Sequence, residues 1–188
     1  MRARFLTLTF LCAFAIAPGA HAQDRGGFTL LATVGYGFQS GDVTNDWDAQ
    51  NGISESNHRM GLAGLNLGAG AFISHNNALM LRLSRTKTDA NYADAFGHGA
   101  TREVPAGTLT LDLQHWLGDR WNFEIGAGLG FLDVAENDAP GLGFFGALGY
   151  SFLLRGSHSF QIGVENAFYH DEVSDINSLG ICLGIQFM

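Results

Sequence analysis

The 188-residue chain carries 18 acidic side chains against 10 basic ones, a formal net charge of −8, and such an acidic surface argues against nucleic acid as a partner. Its 26 glycines and 15 phenylalanines, with only 3 prolines, are an unusual balance for a soluble enzyme of this size and suit a tightly coiled, aromatic-belted sheet in a membrane. No stretch offers the run of about 20 apolar residues that a membrane-crossing helix needs.

At the start of the chain, Arg2 and Arg4 precede the apolar run from Phe5 to Ile16, and Pro18, Gly19 and Ala20-His21-Ala22 then supply the small-x-small pattern of a signal-peptidase site. Residues 1–22 are therefore expected to be a cleaved export signal and residues 23–188 a single domain. Leu11 precedes Cys12 where a lipoprotein signal needs a small residue. Cleavage would leave Cys182 as the only cysteine, so no intramolecular disulfide is available. It would also leave 8 basic residues against the same 18 acidic ones.

Beyond the signal, apolar residues alternate with small or polar ones, the period of a strand that has hydrocarbon on one side. Strands are predicted near 28–39, 58–73, 78–88, 104–117, 121–134, 141–154, 159–170 and 178–187. In the first, Phe28, Leu30, Ala32, Val34, Tyr36 and Phe38 oppose Thr29, Thr33, Gly35, Gly37 and Gln39. In the second, Met60, Leu62 and Phe72 fall on the face assigned inward, where Asn66 is the anchor. The fourth places Leu109, Leu111 and Leu113 on lipid and Thr110, Asp112 and Gln114 inside. The fifth turns Trp121, Phe123, Ile125, Ala127, Leu129 and Phe131 outward, with Asn122, Glu124 and three glycines inward. The sixth turns Leu142, Phe144, Leu148, Tyr150, Phe152 and Leu154 outward. The last alternates Leu179, Ile181, Leu183, Ile185 and Phe187 with Gly180, Cys182, Gly184 and Gln186.

The connections at 74–77, 118–120 and 155–158 are short, while those at 40–57 and 89–103 are long and polar. Short periplasmic turns with longer outer loops are the asymmetry of outer-membrane barrels. The expectation is an all-β chain, a single eight-stranded antiparallel transmembrane β-barrel with both termini on the periplasmic side.

Four charges fall at mid-strand on the minority face: Arg82, Asp112, Glu124 and Glu165. In the dry interior of a soluble barrel they would be costly. In a narrow membrane barrel they form a polar core, with carboxylates flanking an arginine and side chains filling the lumen. They are read as a packing network.

The export signal, the repeated amphipathic strands and the ending GICLGIQFM resemble the small eight-stranded outer-membrane barrels of the OmpA/OmpX/Ail type, and more broadly the porin-like families with an OmpA-type β-barrel domain. That resemblance implies insertion by the barrel-assembly machinery through a terminal aromatic, here Phe187, one residue before Met188.

Some barrels of this size act on lipid A. None of His58, His75, His98, His115, His158 or His170 is followed two positions later by serine, and no G-x-S-x-G elbow occurs. His170 beside Asp171 and Glu172, with Ser174 and Ser178 nearby, is the nearest approach to a catalytic constellation and reads as a rim histidine in an acidic loop. Asp42, Asp46, Asp48 and Glu55, Glu136 and Asp138, and Asp171, Glu172 and Asp175 are oxygen-rich, yet D-x-x-x-D-x-D is not a full EF-hand loop. They read as solvated surface, and neither a metal nor a cofactor is expected. Arg59, Arg85, Lys87 and Arg102 fall at the outer ends of three contiguous strands, at the height of lipopolysaccharide phosphates, for which arginine is well suited.

The expected function is that of a monomeric, non-enzymatic barrel in the outer membrane of a Gram-negative type envelope, serving envelope integrity or surface contact through acidic outer loops. A small porin passing ions or small apolar solutes is the alternative, and a lipid A modifying enzyme the second. The topology is testable with epitope tags. A tag at Asn51 is expected to be labelled on whole cells and a tag at Asn76 to be protected; the reverse pattern inverts the barrel.

Overall fold

A computed structural model describes residues 25, 27–43, 55–93, 99–132, 140–155, 157–170 and 174–188. The expected signal at 1–22 lies outside them. Eight strands follow in order: β1 (Phe28–Val43), β2 (Glu55–Ser74), β3 (Asn77–Ala93), β4 (Gly99–Leu117), β5 (Trp121–Leu132), β6 (Gly141–Arg155), β7 (His158–His170) and β8 (Ser174–Phe187). Each pairs antiparallel with the next, and β1 closes on β8 from Leu30 opposite Phe187 to Val43 opposite Ser174. The predicted architecture is the one observed.

The ladder runs further than the apolar alternation that marks it. β3 and β4 stay paired out to Ala93 and Gly99, through Asp89 opposite Glu103, so most of the segment expected as a loop at 89–103 is strand. β1 and β2 likewise continue to Val43 and Glu55, and β8 begins at Ser174 rather than 178. Backbone hydrogen bonds do not depend on whether side chains face lipid or water, which is why pairing outlasts the hydrophobic pattern. β5 is described as far as Leu132, and the predicted end at 134 lies outside the described residues.

At the other end, here called the base, turns are described at 75–76, 118–120 and 157. Gly118 takes a φ of +65° in the β4–β5 turn, a left-handed conformation that glycine adopts without steric cost. Four backbone bonds tie neighbouring elements around this end: Phe72 N–H to Gly27 O, Trp116 N–H to Asn76 O, Ser151 N–H to Arg120 O and Met188 N–H to Ser157 O, at 2.7 to 2.9 Å.

Alternation sorts the side chains as predicted. Leu30, Val34, Leu81, Leu111, Ile125, Leu129, Ile162 and Leu183 are among the large apolar residues exposed on the outside, while Thr29, Thr33, Asn66, Arg82, Asp112 and Gln186 are buried inside. A closed barrel with this apolar outer surface and polar interior matches a hydrocarbon surround and would be poorly soluble in water.

The exceptions are the end of β6, where a register shift between Ser151 and Leu153 sets the position of Leu154, expected outward, opposite the buried Ser159, and β2. A register shift between Gly35 and Tyr36 sets Gly35 opposite Gly64 but Tyr36 opposite Leu62, passing over Ala63. That extra residue reverses parity, so the positions of Leu62 and Met60 fall opposite the outward Tyr36 and Phe38. The side chains of Met60 and Leu62, assigned inward from alternation, lie outside what the structure describes, but a bulge of this kind is invisible to strict alternation. Phe72 does face inward, packed against Leu31, Ala78 and Met80 in a small apolar cluster near the base.

Glycines let the wall close tightly. A Cβ at Gly37 would lie 2.2 Å from Leu179 O across the seam, and one at Gly128 would lie 2.1 Å from Leu109 O. Leu129, one position along, is 57% exposed. Arginine at Leu129 is expected to cost about 2–4 kcal/mol in a bilayer through exposure of charge to hydrocarbon. Alanine at Leu129 should be nearly neutral, whereas alanine at Gly128 should destabilise by colliding with the β4 backbone. Urea titration followed by heat-modifiable gel mobility distinguishes the three; equal behaviour of Leu129→Arg and Leu129→Ala removes the assigned facing of β5.

Candidate functional site

Among the described residues the buried polar and charged side chains gather in the lumen, and strand alternation builds it. Leu81 and Leu83 face outward, which aims the intervening Arg82 at the axis. There its Nε–H donates to Glu124 Oε1 at 2.7 Å and to Asp112 Oδ2 at 3.2 Å. Nη2 donates to Glu124 Oε2. Glu124 thus receives the fork of the guanidinium on both oxygens, the strongest geometry for such a pair. The cation also lies 4.4 Å from the centroid of Phe145, whose ring is buried on the lumen side of β6. Gly126 makes room for Asp112: a Cβ there would fall 1.7 Å from Asp112 Oδ1.

The fourth predicted member, Glu165, is held separately. Thr33 Oγ1 donates to its Oε1 at 2.7 Å, and Asn66 Nδ2 donates to its Oε2. The charges thus fall into two hydrogen-bonded groups, an arginine with two carboxylates and a carboxylate with neutral donors, and Glu165 remains within electrostatic reach of Arg82. Both line a cavity of about 20 Å³ that also touches Asn122, Gln161 and Cys182. A second cavity of about 10 Å³ lies beside Asn66, Phe145 and Glu165. Voids of this size hold roughly one water each. Side chains fill the lumen.

Toward the base a mesh of amides follows. Gln186 Nε2 donates to Gln114 Oε1 at 2.8 Å and to Thr29 Oγ1 at 3.0 Å. Gln161 Nε2 donates to Gln186 Oε1, and Asn122 Nδ2 to Gln161 Oε1, each at 3.0 Å. Gln114 Nε2 reaches Glu124 Oε2 at 3.3 Å and joins this mesh to the charged layer.

Beneath the mesh lies a group that strand periodicity did not single out. Trp116 points inward, 0% exposed, with Nε1–H donating to Gln114 Oε1 at 3.1 Å. Arg25, ahead of β1, lies 4.0 Å over its ring and donates to the carbonyls of Gly118 and Asp119. Burial holds this guanidinium below its ordinary pKa, and the nearby Asp119 carboxylate opposes the shift. Trp116 shares parity with Asp112 and Gln114, so its inward aim was legible; the contact with Arg25 joins distant segments and was not.

The other candidates are dispersed. Arg85 is exposed on β3, opposite Leu65 and Gly107. Lys87 stands opposite Pro105, Arg102 opposite Ala90 and Arg59 opposite Gln39. The four positions share three contiguous strands but climb them over several residues toward the loop end. His170 Nδ1 lies 2.5 Å from Asp175 Oδ1 on the exposed surface, while Ser178 is buried on the lumen face. Asp46, Asp48, Glu136, Asp138, Asp171 and Glu172 lie outside the described residues; Asp42 and Glu55 belong to the paired ends of β1 and β2. His115 Nδ1 is 2.7 Å from Asn77 Oδ1, with its ring against Phe123. Phe187 is paired with Leu30 and His158 at the end of β8.

A closed, eight-stranded antiparallel barrel with a polar filled lumen and an apolar outside is the fold of the small outer-membrane barrels. Solved structures agree. Ail, the attachment invasion locus protein of Yersinia pestis, superposes with a TM-score of 0.52 at 11% identity, covering 86% of this chain and 99% of that one. The same protein in complex with the heparin analogue sucrose octasulfate gives 0.52 at 12% identity, with the same shares of the two chains. The outer membrane protein OprG from Pseudomonas aeruginosa gives 0.51 at 12%, covering 88% and 97%. At such identities the likeness is one of fold. No protein-family profile matches the chain, and no curated protein matches it in sequence.

Breaking the charged layer from one side tests its role. Arg82→Ala is expected to cost about 3–5 kcal/mol, because two buried carboxylates lose their cation. Adding Glu124→Gln should recover more of that loss than adding Asp112→Asn, since Glu124 accepts from two nitrogens of Arg82. Urea unfolding of the single and double variants in lipid checks the order, and an Arg82→Ala protein as stable as the parent rules the clamp out.

Proposed function

We propose that this chain, exported by its N-terminal signal and trimmed near residue 22, is a monomeric, non-enzymatic barrel of the outer membrane with a closed lumen. Its base faces the periplasm and its acidic outer segments face the surroundings, where they serve envelope integrity or surface contact. Insertion would proceed through the barrel-assembly machinery acting on β8 and Phe187. The observation that carries the reading is the plugged cross-section: Arg82, Asp112, Glu124 and Phe145 meet at the axis beside a cavity of about 20 Å³. A conducting pore needs a continuous water column, and eight strands leave an interior that side chains can fill.

Lipopolysaccharide is the proposed neighbour at the loop end. Arg59, Arg85, Lys87 and Arg102 on β2, β3 and β4 supply cations there, and guanidinium groups match phosphate oxygens.

Purified protein in planar lipid bilayers is expected to show no steady conductance. Stable cation-selective channels in the parent protein would overturn the closed lumen and establish the small porin instead.

A further inference from the structure

On β1 the outward apolar run goes from Phe28 to Phe38, and on β5 from Trp121 to Phe131. At about 3.3 Å per residue and a tilt of about 40°, each run stands about 25 Å tall, the height of a hydrocarbon belt. β3 departs from this. It starts at the same end of the barrel, at Asn77, but its outward apolar residues are Leu79, Leu81 and Leu83, about 10 Å by the same measure. The next outward side chain is Arg85, exposed on the wall.

The surroundings of Arg85 are apolar. One row of paired residues crosses the wall as Val34, Leu65, Arg85, Gly107 and Phe131, and Val34, Leu65 and Phe131 are exposed outward. Gly107 has no side chain, and the ring of Phe131 takes its place: a Cβ there would lie 2.2 Å from Phe131 Cε2. The ring thus leans from β5 across β4 toward β3. Among the described residues no hydrogen bond or ion pair engages the Arg85 guanidinium, whereas Arg25, Arg82 and Arg120 all have partners within the protein. A cation facing hydrocarbon is costly, and more so with depth. Its stem can follow the apolar wall while the head climbs toward the headgroups. The first anion on that path is a lipid phosphate, whose oxygens match the guanidinium fork.

We propose that Arg85 is the site for the phosphate of one anionic lipid, drawn below the level of the surrounding headgroups where the apolar face of β3 is short, with Leu65 and Phe131 flanking the lipid on either side. The proposal rests on the reading of lipopolysaccharide as neighbour and adds which cation holds it and at what depth. Arg59, Lys87 and Arg102 lie further from the base along β2, β3 and β4, at the height of ordinary headgroups, whereas Arg85 stands within the belt. The bilayer is accordingly thinner against β3 than against β1 and β5.

Native mass spectrometry of the folded barrel released from detergent micelles, with doubly phosphorylated lipid A as the probe, counts what stays bound. The parent is expected to retain one lipid A. Arg85→Gln should retain several-fold less, and Arg85→Lys should fall between, keeping charge but losing the fork. A variant carrying Arg59→Gln, Lys87→Gln and Arg102→Gln together should keep most of it. Lipid A stripped of its phosphates should not be retained, and excess inorganic phosphate should not displace the bound lipid. A second measurement does not depend on retention in the gas phase: in bilayers of the phosphate-free lipid digalactosyldiacylglycerol, Arg85→Leu should raise the urea midpoint above that of the parent, and in phosphatidylglycerol bilayers the gain should shrink or vanish. Equal retention by Arg85→Gln and the parent overturns the site, as does an equal gain from Arg85→Leu in both lipids. Displacement by inorganic phosphate would give the site to a free ion, and a lipid-free dimer that Arg85→Gln dissolves would give it to a second copy of the chain; either overturns the proposal. Loss of lipid A in the triple variant but not in Arg85→Gln removes the deep site and keeps lipopolysaccharide at the loop end, whereas loss in neither removes both.

Discussion

In hydrocarbon a strand has no water to satisfy its backbone, so every N–H and C=O must find a partner within the protein, and a sheet meets that demand only by closing on itself. Here the demand is met along the seam where β1 pairs with β8 from Leu30 to Val43. Closure of eight strands leaves room for side chains and little else. The glycines at the seam and on β5, the filled lumen and the need to neutralise what fills it are all consequences of that one requirement. Gly37 lies so near Leu179 O that no other residue fits without displacement.

A narrow lumen does not by itself have to be polar. Replacing a buried ion pair by apolar groups of equal volume is often neutral or stabilising, so Arg82 with Asp112 and Glu124 is better understood through specificity. The wall is apolar outside, and a one-residue slip in any strand would move its inward set into lipid. With an apolar lumen that slip would cost little. With Arg82, Asp112, Glu124 and Glu165 inside, it would carry a charge into hydrocarbon, so the charges penalise wrong registers more than they strengthen the right one.

Much of this was legible from period alone. The number of strands, their order, the short turns and the facing of β1, β4, β5 and of β6 as far as Phe152 follow from alternation, and the inward aim of Arg82, Asp112 and Glu124 follows with them. What alternation misses has physical reasons. Polar ladders such as Asp89 opposite Glu103 leave no hydrophobic signature. The bulge at Ala63 inserts a residue that a strict period cannot count. Partner choice among inward groups depends on stagger between strands, which is why the hydrogen bonds of Glu165 to Thr33 and Asn66 could not be read from alternation. The contact of Arg25 with Trp116 joins segments on opposite sides of the ring and has no periodicity at all.

The belt of backbone bonds at the base links β1 to β2, the β2–β3 turn to β4, the β4–β5 turn to β6, and the β6–β7 turn to the last residue. The barrel is thus drawn together at one end by main-chain groups, whatever side chains occupy those positions. Among the described residues that fastening is gathered at the base. A ring fastened by main-chain groups keeps its fastening through exchange of the side chains around it, so the base can hold its shape under changes of sequence that would undo a ring held by side-chain contacts.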